Sequence, residues 1–101
     1  MYARVSTWEG AEPDAVKEAA ETIKGSDGPP PGVPSQGITM LYDPETKRTM
    51  AIALFETEED YRQGDEALNA MDPPTGERAG QRTRVEKWEV AVERRLSGAS
   101  A

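Results

Sequence analysis

The side chains best equipped for chemistry in this sequence fall into two short alternating runs. Tyr2, Arg4, Ser6 and Trp8 share one parity near the N-terminus, and Arg84, Glu86 and Trp88 share one near the C-terminus. Residues two apart on an extended chain lie on one face, so each run gathers a guanidinium, a hydrogen-bonding group and an indole. Set in an apolar cavity, Arg4 needs an anion beside it: a phenolate or carboxylate of a bound molecule, or a carboxylate of the protein. Trp8 would offer that molecule a stacking surface. The plainer reading of Arg4, and the preferred one, is an intersheet ion pair or a head that reaches the sheet edge along its aliphatic stem. Trp88 with Arg84 reads in the same two ways, as a substrate platform or as a ring buried in a core or dimer interface, and the second is preferred. Tyr42 and Tyr61 are candidate phenolic proton donors, although such rings more often pack with the hydroxyl at the rim. Phe55 carries no acid-base or hydrogen-bonding group and reads as core or pocket wall.

Much chemistry is excluded. Neither cysteine nor histidine occurs, which removes disulfides, thiol nucleophiles, Cys/His zinc sites, histidine bases and histidine haem ligation. The acids Glu56, Glu58, Glu59, Asp60, Asp65 and Glu66 suggest a metal site only superficially, since acids gather in a first helical turn to complement its dipole. No metal and no cofactor is therefore expected. Gly28, Gly32 and Gly37 lack the spacing and the following helix of a phosphate-binding loop. The net charge of −7 argues against nucleic acid or an anionic membrane surface as partner. No 18-residue apolar run is present to span a bilayer. The N-terminus opens directly on a strand rather than on a basic and then apolar leader, so a cytoplasmic protein is expected.

The elements that must hold these side chains follow from spacing. Met1–Trp8 alternates as a strand. Pro13 and Asp14 open a helix whose stripe is Val16, Ala19, Ala20 and Ile23, with Gly25 expected to end it in a left-handed conformation. Residues 25–37 hold four glycines and four prolines and read as a loop, either a lid or a plain connection. Ile38–Tyr42 and Thr49–Phe55 flank a proline-bearing turn and form a hairpin. Thr57 caps a second helix with Tyr61, Gly64, Leu68 and Met71 on its stripe, and Asp72-Pro73-Pro74 stops it. Gly64 interrupts helix propensity and is read as allowing close approach to the sheet. Residues 75–81 read as a polar connection, Arg82–Val92 as the last strand, and 94–101 as a flexible tail after a single domain over 1–93.

The order strand, helix, strand, strand, helix, strand predicts an α+β, ferredoxin-like βαββαβ fold: a four-stranded antiparallel sheet with two helices on one face. Met50–Phe55 is apolar without alternation, the mark of a strand shielded on both faces. Two helices cover only one. A second copy packed on the open sheet face is the expected remedy, giving a homodimer.

Pro31-Gly32 in the loop, the Asp43-Pro44-Glu45-Thr46 turn, Phe55 closing the third strand and Thr57-Glu58-Glu59 opening the next helix follow one another within residues 31–68. This succession resembles the antibiotic biosynthesis monooxygenase family, ABM, of the dimeric α+β barrel group. The resemblance implies that fold and one of several activities. The family's haem degraders place a tryptophan where Phe55 stands, a histidine near Asp65 and an asparagine near Val5 or Ser6, so haem degradation is not implied here. Two functions remain. One is a cofactor-independent monooxygenase acting on a small aromatic or polyketide-like substrate in a pocket between sheet and helices, with Arg4, Tyr42 and Tyr61 as catalytic candidates and Ser6, Trp8, Phe55, Arg84 and Trp88 against the substrate. The alternative is a non-catalytic homodimer that binds a small ligand or serves as an accessory module. A third, weaker reading is a structural dimer filled solid by Met40, Met50, Ile52, Leu54 and Phe55.

Overall fold

The computed structural model describes residues 1–71 and 76–94. Its elements are β1 (Tyr2–Glu9), α1 (Pro13–Lys24), β2 (Gly37–Asp43), β3 (Arg48–Phe55), α2 (Glu58–Asn69), a 3-10 turn (Gly76–Ala79) and β4 (Gln81–Glu89). All strand pairings are antiparallel, in the order β2-β3-β1-β4. This is the ferredoxin-like arrangement, with both helices on one face. The helix stop at Asp72-Pro73-Pro74 and all of the expected tail but Arg94 lie outside the described residues.

Register decides what faces the helices. Tyr2, Arg4, Ser6 and Trp8 of β1 stand opposite Phe55, Ala53, Ala51 and Thr49 of β3, and Ile38, Met40 and Tyr42 of β2 stand opposite Ala53, Ala51 and Thr49. Directly opposed residues share a face, so these side chains all lie under the helices. The packed core is Val33, Ala53, Phe55 and Tyr61, with Tyr2, Ala67 and Leu68 against it. Phe55 is 0% exposed and meets Tyr61 edge-on, ring centroids 5.6 Å apart. Gly64 is what lets α2 sit on that ring: a β-carbon there would collide with Phe55 Cε1 and lie 2.5 Å from Cζ. The expected close approach is borne out.

Thr57 caps α2, its hydroxyl accepting from the Asp60 N–H at 3.1 Å. Two local expectations need correction, and the connection before the last strand gains detail. Gly25 has φ −82° rather than a left-handed value, because Ser26 closes the helix end instead: its hydroxyl donates to the Ile23 carbonyl at 2.8 Å. The last strand ends at Glu89 rather than Val92, since β1 runs out and the final bond is Val90 N–H to the Met1 carbonyl, 2.9 Å. The connection before it contains a 3-10 turn between two glycines of positive φ. At Gly80 no side chain fits, as a β-carbon would meet the Glu9 carbonyl and lie 2.8 Å from the Ala11 nitrogen.

The proline-rich loop is pinned to the sheet. Val33 inserts into the core at 3% exposure, and the Gln36 N–H donates to the Leu54 carbonyl at 2.7 Å. The hairpin turn is closed by Asp43, which accepts from the Thr46 hydroxyl at 2.9 Å and the Glu45 N–H at 3.0 Å. Those two bonds, the Thr46 one foremost, hold its carboxyl below the ordinary carboxylate range.

Candidate small-molecule cavity

α2 lies close on β1 and β3, whereas α1 stands off the sheet with a cavity beneath it. The cause is residue size. α1 and its approach present Ala11, Ala15 and Ala19, and the sheet opposite presents Ser6, Ala51 and Ala53. Nothing there is long enough to fill a helix-to-sheet gap to interior density. The result is a half-open cavity of about 310 Å³, bordered by Val16, Ile23, Met40 and Leu68. It sits at the lower end of the volumes that hold small ligands.

Arg4 crosses the floor of this cavity at 5% exposure. Its Nε donates to Asp65 Oδ1 at 2.8 Å and its Nη2 to Asn69 Oδ1 at 2.9 Å, both acceptors on α2. The preferred reading, an intersheet ion pair or a head at the sheet edge, is corrected: Arg4 is buried and paired, but with Asp65 of α2, which packs on β1 and brings its carboxylate within reach. Ser6 and Trp8 line the same cavity, the Ser6 hydroxyl reaching the Ala51 carbonyl at 3.5 Å.

The other candidates do not join them. Phe55 is sealed between α2 and the sheet and is absent from the cavity wall. Tyr61 packs on Phe55, and its ring also faces the Lys87 ammonium at 5.2 Å. Tyr42 lies on the helix side at the sheet edge, its hydroxyl buried without a partner among the described residues, as is that of Thr49 opposite it. Trp88 and Arg84 pair with Ala3 and Thr7, which places both on the open face. There Arg84 approaches Glu86 at 4.0 Å beside a groove of about 460 Å³. They therefore cannot touch a molecule lodged under the helices.

Sequence reasoning missed Arg82. Simple alternation puts Arg82 on the face of Arg84. A bulge between Thr7 and Trp8 shifts the β1–β4 register, so that Thr7 opposes Arg84 while Trp8 opposes Arg82. The extra residue turns Arg82 to the helix side, into the cavity wall beside Trp8. No local residue pattern signals that slip.

Burial, with the Asp65 charge second, pushes the Tyr61 phenol above its ordinary value, partly offset by Arg4. Above about pH 10 an unfolded tyrosine loses its proton while the folded one retains it, so the unfolded state binds fewer protons and stability falls as pH rises. The urea midpoint is expected to drop through this alkaline range, and Tyr61→Phe should flatten the slope; an unchanged slope refutes the assignment to Tyr61.

Among the described residues no three carboxylates come together to hold a metal ion, and no helix is long and apolar enough to cross a membrane. No known family model matches the chain, and no curated protein matches it.

Proposed function

We propose that the chain is an ABM-like homodimer that binds a small, largely aromatic molecule in the cavity between sheet and helices. The carrying observation is the cavity itself, walled by alanine and aliphatic side chains with an indole at one end. Its buried cation supports binding over oxygenation. Cofactor-free oxygenation of a phenol needs a buried group free to hold an aryl oxyanion; the buried Arg4 is engaged by Asp65 and Asn69, and Arg82, the other cation of the wall, is exposed at its rim where water weakens such stabilisation. Tyr42 and Tyr61 lie outside the wall.

A second copy is supported by the open sheet face. Trp88 is 55% exposed there and Leu41 50%, with Val5, Ile52 and Leu54 half-buried between them. Arg48, Arg84, Glu86 and Asp43 around the groove carry both signs of charge, as a self-complementary surface under a two-fold axis requires. A stable dimer needs roughly 800 Å² from each partner.

Titration of a Trp88→Phe background with naphthalenemethanol should quench Trp8 fluorescence saturably. Ala51→Phe, which fills the cavity from the sheet, should weaken that binding by at least about tenfold without unfolding the protein. Undiminished binding to the filled variant places the ligand elsewhere. Oxygen uptake with dihydroxy-aromatics above the protein-free rate replaces this reading with the monooxygenase. Sedimentation at micromolar concentration should give a dimer for the native chain and a folded monomer for Trp88→Glu; a native monomer removes the second copy.

A further inference from the structure

We infer that the molecule taken by the cavity is an aromatic acid, and that Arg82 reads its anionic head beside the Trp8 ring. The inference deepens the cavity reading and rests on it. The chain carries 19 acidic against 12 basic residues, yet among the described residues the charged side chains that line the cavity are Arg4 and Arg82, with no carboxylate beside them in the wall. Among the described residues, a strongly acidic protein has walled this space with cations.

The two arginines differ in what they have left to give. Arg4 spends its Nε and Nη2 on Asp65 and Asn69. Arg82 has no carboxylate at ion-pair distance among the described residues. Arg78 shows the contrast within the same segment, held by Glu18 at 3.0 Å and Glu12 at 3.6 Å. Arg82 is also placed by a break in the ladder: without the bulge, Thr83 would face Trp8 and the guanidinium would point to the other side of the sheet. Bulges recur where a side chain has to be re-aimed. The guanidinium fork matches a carboxylate in two parallel hydrogen bonds. The apolar body would then lie along Trp8 towards Ala51 and Met40. Arg82 is exposed at the rim, so its attraction is expected to be moderate and sensitive to salt.

The test compares naphthoic acid with naphthalenemethanol, which matches its shape without the charge, on the native chain and on Arg82→Gln and Arg82→Lys. The native chain should bind the acid about tenfold more tightly at low salt, the scale of one charge-assisted contact. Arg82→Gln should lose that preference while holding naphthalenemethanol within about twofold and keeping the native urea midpoint, and Arg82→Lys should retain part of it. Equal affinity of the native chain for both compounds, or a preference that survives Arg82→Gln, overturns the assignment of Arg82 and leaves the cavity reading standing. If neither compound binds the native chain, both fall.

Discussion

Asp65→Asn is expected to lower the unfolding free energy by about 2–3 kcal/mol, whereas Arg4→Met costs less than about 1 kcal/mol. The two substitutions break the same 2.8 Å ion pair, so a picture in which the contact has one fixed worth demands equal losses. The surroundings are not equal. Arg4 is 5% exposed and Asp65 33%. Asparagine leaves the guanidinium neutral amide acceptors at 65 and 69 but no counter-charge in a largely apolar cavity, and a buried uncompensated charge is costly. Removing the guanidinium leaves Asp65 with water within reach, while methionine follows the stem Arg4 vacates and adds apolar wall. Urea unfolding of both single variants and the double variant measures the difference; equal losses in the two singles sink the argument. A ligand-linked effect accompanies it. With Asp65 neutralised, Arg4 becomes a second cation without a counter-charge in the cavity, so naphthoic acid should raise the midpoint of Asp65→Asn by more than that of the native chain.

What could be read from the sequence was whatever one element states about itself. Thr57 announced a helix start and Gly64 announced a close approach, because each is a local demand of packing or hydrogen bonding; the unbroken Met50–Phe55 run asked for cover on both faces, and the chain itself covers one, leaving Met50 36% exposed on the other. Parity grouped Arg4 with Ser6 and Trp8, and Arg84 with Trp88, and both groupings stand. Parity cannot say which group lies beneath the helices. The two indoles, equivalent on the page, end on opposite faces of the sheet. Phe55 shares parity with Ala51 and Ala53, yet only those two line the cavity, because α2 descends onto the ring where Gly64 permits. Arg82 was hidden for another reason. A one-residue register slip between β1 and β4 is a property of the pair of strands, and neither strand carries it alone. The cavity was hidden likewise: alanines read as ordinary small residues until a helix and a sheet place them opposite one another.

Gly64→Ala should change sign with its neighbour. In the native chain it is expected to destabilise by about 1–2 kcal/mol, because overpacking of about 1–3 kcal/mol outweighs the roughly 1 kcal/mol that alanine adds to helix propensity. The added methyl has nowhere to go: it overlaps the Phe55 ring edge, and that ring is fixed at 0% exposure among Val33, Ala53 and Tyr61. Phe55→Ala alone should cost about 3–4 kcal/mol, the usual range for emptying a buried phenyl site. In that emptied background the same Gly64→Ala methyl enters the vacated space, clashes with nothing, and keeps its helix advantage. It should then stabilise by about 1 kcal/mol. The double-mutant cycle therefore predicts a coupling of about 2–3 kcal/mol between residues nine apart in sequence, large because they are in direct contact. Chemical denaturation of the four proteins supplies the cycle, and the sign of Gly64→Ala in the Phe55→Ala background is the deciding observation. Destabilisation there as well would mean that glycine serves the helix backbone itself, and that α2 is not brought onto the sheet by the missing side chain.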